Sequence, residues 1–106
     1  TERIEEVRHH TKLYYTRMGY DESDFVPCEV IGCEMRGSWI HHIDCRGMGG
    51  SKQKDFIENL MSICAHHDEK YGDRKQYMDF LKYCHIKRLE ERQVKYNPEL
   101  IKTEYK

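Results

Sequence analysis

The sequence has no apolar run approaching the roughly 20 residues that a membrane-spanning helix requires, and its first residues form no apolar signal segment. Both absences lead to the expectation of a soluble, cytoplasmic protein. Net charge is nearly absent too. Its 18 basic and 19 acidic side chains leave a formal charge of -1, which removes the simplest argument for nucleic-acid binding, a strongly basic chain. Any such contact has to come from local patches, either Arg46, Lys52 and Lys54 or Lys87, Arg88 and Arg92. No internal repeat or low-complexity tract divides the chain. With 106 residues it makes one small domain, too short to bury a generous core without an added cross-link.

Cysteine is what the chain does have, five of them. The number is odd and histidines interleave with the thiols, a pattern that argues against a secreted disulfide framework and for metal ligation in a reducing compartment. The chemistry-bearing residues concentrate between Pro27 and Asp73. Cys28 and Cys33 precede the apolar setting Trp39-Ile40-His41-His42-Ile43, and Cys64, His66 and His67 follow it.

Apolar residues at Ile4, Val7, Tyr14 and Met18 recur at helical spacing, so the sequence predicts an amphipathic helix from Glu2 to Met18, stopped by Gly19. His9 and His10 lie on it about 100° apart with no cysteine near in sequence, and are read as a solvent-facing pair. Tyr20 to Pro27 is a connecting loop. Cys28-Glu-Val-Ile-Gly-Cys33 has the form of a metal-binding knuckle, its glycine letting the chain fold back so that both sulfurs converge. Ser38 to Ile43 reads as a short strand, Arg46 to Lys52 as a glycine-rich cationic loop, Asn59 to Ile63 as a second strand and Cys64 to Tyr71 as a helix ending at Gly72.

A third helix is expected to open at Asp73, with Gln76 three residues on as a capping box, and to carry Tyr77, Phe80, Leu81, Cys84 and Arg88 on one face, flanked by Leu89. Cys84 and His85 on it are read as a packed thiol and a surface imidazole. Beyond Asn97-Pro98 the pattern is lost, which predicts a loosely held tail over 97–106. The expected organisation is therefore an α+β domain over 1–96, with an N-terminal helix in 1–19, a metal-bound core over 28–72 and a C-terminal helix over 73–93.

From Cys28 to about Tyr71 the residues resemble the HNH endonuclease family, the ββα-metal nucleases, in the form found in many bacterial and phage proteins. Three landmarks fall in order: the His41-His42 pair ending the first strand, Asn59 opening the second, and Cys64-x-x-His67-Asp68 running into the helix. The resemblance implies a small zinc-stabilised ββα-metal fold and hydrolysis of DNA phosphodiester bonds, leaving 5′-phosphate and 3′-hydroxyl ends. It makes His42 the general base, since an imidazole with an unperturbed pKa near 6.5 is a competent base at neutral pH. Asn59 would hold the long loop by its backbone.

By the same resemblance His41 and Asp68, nine residues after Asn59, would hold a catalytic Mg²⁺ or Mn²⁺. Relatives more often have histidine at that helical position; an aspartate is a hard oxygen donor that suits these ions. A shifted register would place His67 on this cation instead. The structural zinc would be held by Cys28, Cys33, Cys64 and His67, a Cys₃His variant of the usual four cysteines, with His66 as the rival for the fourth corner. Arg46 is placed to meet a phosphate oxygen, Lys52 and Lys54 to add attraction to the DNA backbone, and Cys45 reads as a free thiol.

The leading expectation is a metal-dependent endonuclease that nicks or cuts DNA in a bacterial or phage-infected cell, as a monomer or homodimer. Phage packaging machinery is a partner by analogy only. Two other classes compete with it. A non-catalytic zinc module on the same scaffold would bind nucleic acid or protein, and a secreted disulfide protein would require oxidised cysteine pairs.

Overall fold

Two four-residue segments, Trp39–His42 (β1) and Leu60–Ile63 (β2), pair antiparallel in the computed structural model, which describes residues 9–44 and 55–105. The register sets Trp39 opposite Ile63, Ile40 opposite Ser62, His41 opposite Met61 and His42 opposite Leu60. Successive side chains of a strand point to opposite faces. Trp39, His41, Met61 and Ile63 therefore share one face, while Ile40, His42, Leu60 and Ser62 share the other.

Each face has its own cover, and β2 is buried along its whole length as a result. On the first face lie two helices, Ala65–Tyr71 (α2) and Met78–Glu91 (α3), with Cys28 and Val30 from a hairpin over 26–37 whose Val26 packs on the other face. Cys28, Val30, Ile43, Met61, Ile63, Cys64, Leu81 and Cys84 close into one apolar cluster there. The second face is covered by His9–Met18 (α1), whose Tyr14 and Met18 pack with Val26, Ile40, Ile57, Leu60 and Leu89. Because Leu81 and Cys84 reach one cluster and Leu89 the other, α3 fastens both layers.

The hairpin is held by Cys28 N–H to the Met35 carbonyl and Gly37 N–H to the Val26 carbonyl, both 2.8 Å, and joins β2 through Glu29 N–H to the Ser62 carbonyl, 2.9 Å. Gly37 permits this approach: a Cβ there would lie 1.8 Å from Ser62 Oγ.

Between the two clusters runs a buried polar network. The Tyr14 hydroxyl donates to Glu29 Oε2, the Ser62 N–H reaches the same oxygen at 3.3 Å, and His85 Nδ1 donates to Glu29 Oε1 at 2.6 Å. His85 Nε2 donates to the Ile57 carbonyl at 2.7 Å, so both ring nitrogens act as donors and the ring is an imidazolium paired with a carboxylate. Burial alone would lower the His85 pKa, but the Glu29 charge and its hydrogen bond override it and raise the value above the ordinary one. Burial and Glu29 together push the Tyr14 hydroxyl far up, keeping it protonated as a donor.

Most expected elements appear, with corrections. The second strand starts at Leu60, because Asn59 ends a 3₁₀ turn over Ile57–Asn59. Cys64 is the residue before α2 rather than its first turn. The third helix does not open at Asp73, which sits at φ 59°, in the left-handed region; a 3₁₀ turn over Lys75–Tyr77 leads into α3 at Met78. His85 is not a surface imidazole but 0 % exposed.

The expected loose tail is instead docked through residue 105. Ile101 is 3 % exposed, Asn97 N–H bonds Glu58 Oε2 at 2.7 Å, and the Thr103 hydroxyl donates to the Asp79 carbonyl at 2.8 Å. Ile101, these hydrogen bonds and the Tyr105 ring against Phe80 and Tyr83 together anchor a segment that shows no periodicity. Among the described residues, no helix is long and apolar enough to cross a membrane.

Candidate functional site

Cys28, Cys33, Cys64 and His67 converge, each offering one ligand atom, all within 4.8 Å of one another. His67 Nδ1 lies 3.3 Å from Cys64 Sγ and 3.7 Å from Cys28 Sγ. Around a tetrahedral ion with about 2.3 Å to sulfur and about 2.0 Å to nitrogen, neighbouring donors sit about 3.5 Å apart. The spacing fits, and these four residues can hold a metal ion.

Local structure explains the convergence. Gly32, at φ 87°, turns the chain so that Cys33 N–H bonds the Val30 carbonyl at 2.9 Å and the second sulfur faces the first. Cys64 and His67 stand three residues apart at the start of α2, one helical turn, and so share a side. His66, the rival fourth ligand, is exposed and outside the cluster. His67 also stacks on Tyr71, with ring centroids 5.7 Å apart and planes 6° from parallel.

The electrostatics differ among the four groups, favouring the ligating form at His67 and Cys64 and opposing it at Cys28. Burial, with smaller contributions from His66 and Lys70, lowers the His67 pKa and keeps the imidazole in its neutral, ligating form. Burial pushes the Cys28 thiol up to about 12 without an ion. At Cys64 burial also raises the value, but the His67 backbone N–H and the Cys28 and Cys33 thiols outweigh it and bring the pKa below the ordinary one. Cys84 packs in the core near this cluster but is not part of it, as the sequence expects.

His41 and His42 are sequence neighbours on opposite faces of the sheet. His41 is buried on the face covered by α2, with Nδ1 3.6 Å from Asp68 Oδ1. Burial, followed in the same direction by His42, lowers its pKa despite Asp68 and Asp73, so the ring is neutral. Its Nε2 is buried with no hydrogen-bond partner among the described residues. Asp68 folds back along α2 over Gly72, where a Cβ would lie 2.2 Å from Asp68 Oδ1 and 2.6 Å from the Asp68 carbonyl oxygen, so a larger residue would displace the carboxylate. The pair offers one imidazole nitrogen and one carboxylate at a separation that can bracket a divalent cation.

His42 turns to the face covered by α1. Its Nε2 donates to Asp55 Oδ1 at 2.7 Å, and its ring centroid lies 4.5 Å from that of His10. His9 Nδ1 takes the other Asp55 oxygen at 2.9 Å. Burial would raise the Asp55 carboxyl, but the hydrogen bonds from His42 and His9 prevail and hold it below its ordinary pKa. Asp55 is therefore a carboxylate, and as an acceptor it fixes the His42 proton on Nε2 and leaves Nδ1 as the lone pair. His10, His42 and Asp55 also place one donor atom each within 4.8 Å of one another.

Asn59 clasps the chain just past His42. Its Oδ1 accepts the Asp44 N–H at 2.8 Å and its Nδ2 donates to the Asp44 carbonyl at 3.0 Å. This is the backbone-holding arrangement expected of it. Ile43 N–H adds a bond to the Asn59 carbonyl at 2.9 Å.

The reading of His9 and His10 as a solvent-facing pair holds for His9, which is exposed while bonding Asp55, and is corrected for His10, which is partly buried against the His42 ring. Asp55 itself is a residue that the sequence reading missed, being an acidic side chain in an aperiodic stretch with nothing local to single it out. Arg46, Lys52, Lys54 and Cys45 lie outside the described residues. No protein-family model, curated protein or solved structure matches the chain, so its function has to be inferred from this geometry.

Proposed function

We propose that the chain is a metal-dependent endonuclease of the HNH type, hydrolysing DNA phosphodiester bonds with His42 as the general base. The observation that carries this reading is the division of labour between neighbours: His41 faces a carboxylate on α2, and His42 faces Asp55 on the other side of the sheet. A base and a cation ligand side by side in sequence would compete for one ion if they shared a face.

In this mechanism the His42 Nδ1 lone pair takes a proton from water. The water oxygen attacks phosphorus, the P–O3′ bond breaks, and the departing 3′-oxygen takes up a proton from solvent water to leave 3′-hydroxyl and 5′-phosphate ends, the imidazolium returning its proton to solvent. Asp55 keeps the imidazole in the required tautomer and stabilises the imidazolium that forms. Asn59 fixes the strand end through Asp44, so His42 is held at a set distance from the scissile bond. His41 and Asp68 would hold Mg²⁺ or Mn²⁺, which when bound supplies charge neutralisation on the phosphoryl oxygens.

The Cys₃His cluster takes Zn²⁺ as its ion, a tetrahedral preference served by three thiolates and an imidazole. Arg46, Lys52 and Lys54, between the two strands in sequence, supply contacts to the DNA backbone that weaken with salt.

Conversion of supercoiled plasmid by the purified zinc-loaded protein tests this reading. Nicking is expected with Mg²⁺ or Mn²⁺, none with EDTA, and a fall of about 10² to 10⁴-fold for His42→Ala at unchanged zinc content. Undiminished cutting by that variant would reassign the base. No cutting by the parent protein under any divalent cation would leave a zinc-binding module in place of an enzyme.

A further inference from the structure

Asp55 is surrounded by imidazoles: His42 Nε2 at 2.7 Å on one oxygen, His9 Nδ1 at 2.9 Å on the other, and the His10 ring 4.5 Å from that of His42. Three histidines thus act on one carboxylate that is 8 % exposed, an unusual gathering of metal-ligating side chains. The three donor atoms of His10, His42 and Asp55 span no more than 4.8 Å, the spread that a single ion can draw together.

We propose that His10, His42 and Asp55 form a second metal site, selective for Zn²⁺-class transition ions over Mg²⁺, whose occupation takes His42 out of service as a base. Two imidazole nitrogens and one carboxylate oxygen are borderline donors that favour Zn²⁺ or Co²⁺ over hard, strongly hydrated Mg²⁺. Three protein ligands leave a fourth position for water. His9, on the second Asp55 oxygen, orients the carboxylate from outside the coordination shell.

The proton inventory couples this site to the proposed reaction. A neutral His42 carries one proton, on Nε2 when that nitrogen donates to Asp55. When Nε2 binds an ion the proton moves to Nδ1, and the lone pair that would accept a proton from water is gone. No net proton is released from the ring. The ion would also tie α1 to β1, two elements distant in sequence.

The site is distinct from the Cys₃His cluster, which holds thiolates, and from the His41–Asp68 pair on the opposite face. Only the inhibitory consequence depends on His42 being the base; the binding itself does not.

Titrating zinc-loaded protein with Co²⁺ reads the binding directly. A further equivalent is expected to bind with visible d–d absorbance and without sulfur-to-metal charge transfer, because no cysteine takes part. His10→Ala and the milder His10→Gln should each weaken that equivalent at least about 100-fold, more than an outer-shell partner would, while circular dichroism and the zinc content stay as in the parent. Absence of a second equivalent, or one that survives both substitutions, overturns the site.

In the plasmid assay with Mg²⁺, added Zn²⁺ should inhibit the parent protein and spare His10→Ala. Equal inhibition of both would overturn the link to His42. Should no nicking occur at all, the Co²⁺ result still decides whether the site exists, so failure of the nuclease reading and failure of the site are told apart.

Discussion

The two faces of the small sheet solve the same problem, covering a two-stranded ribbon, by different means. One face is closed by side chains that can bind a metal ion, with Cys28, Cys64 and His67 built into or beside its apolar cluster. The other is closed by α1 through ordinary burial of Tyr14, Met18, Ile40 and Leu60. An isolated two-stranded ribbon is marginal in water, so neither cover is optional. The contrast places polar chemistry at the rim of each layer: His41 and Asp68 at the first, His42, Asp55, His9 and His10 at the second.

The largest effect should come from removing the metal ligands of the first face. Structural zinc in small peptides is worth about 10 to 16 kcal/mol of apparent binding energy, so strong chelators or Cys64→Ser should abolish the cooperative unfolding transition seen by circular dichroism. A protein that keeps a sharp transition after chelation would mean that the apolar clusters suffice and the cysteine face is not the weaker one.

A smaller loss is expected at the network that joins the faces. Replacing His85 by Gln leaves the Glu29 charge buried with Tyr14 and Ser62 as its remaining donors, which should cost about 3 to 5 kcal/mol in urea unfolding. The pH dependence has a definite sign. His85 has a folded pKa above its unfolded value, so its contribution is fully present below about pH 6.5 and is lost as pH rises through the folded value. The stability gap between the parent and His85→Gln, measured with zinc saturating both, should therefore narrow on going to alkaline pH. A gap that widens would show the folded His85 pKa to be lowered rather than raised, with the pair holding no proton.

Much of the first face was legible in the sequence because its signals are local. Cys28 and Cys33 enclose their own turn, Cys64 and His67 are one helical turn apart, and the alternation around His41-His42 marks a strand. Asn59 was legible through family resemblance, and the clasp on Asp44 has the expected form. The second face was not legible. Asp55 meets His9 from 46 residues away, a contact that no periodicity encodes.

His85 was misread because a histidine beside a core cysteine on an amphipathic helix fits a surface flank equally well. Its place is decided by Glu29, 56 positions earlier, which sits among knuckle residues with no local pattern to pair the two. The docked tail was hidden for a similar reason, as a lone Ile101 carries no pattern.

The division between His41 and His42 is measured most directly by titrating Mg²⁺ in the plasmid-nicking assay with His41→Ala and His42→Ala side by side. His41→Ala should raise the Mg²⁺ concentration needed for half-maximal nicking, whereas His42→Ala should lower the maximal rate and leave that concentration unchanged. Two variants that shift the Mg²⁺ requirement alike would contradict the division, because both histidines would then be serving one ion.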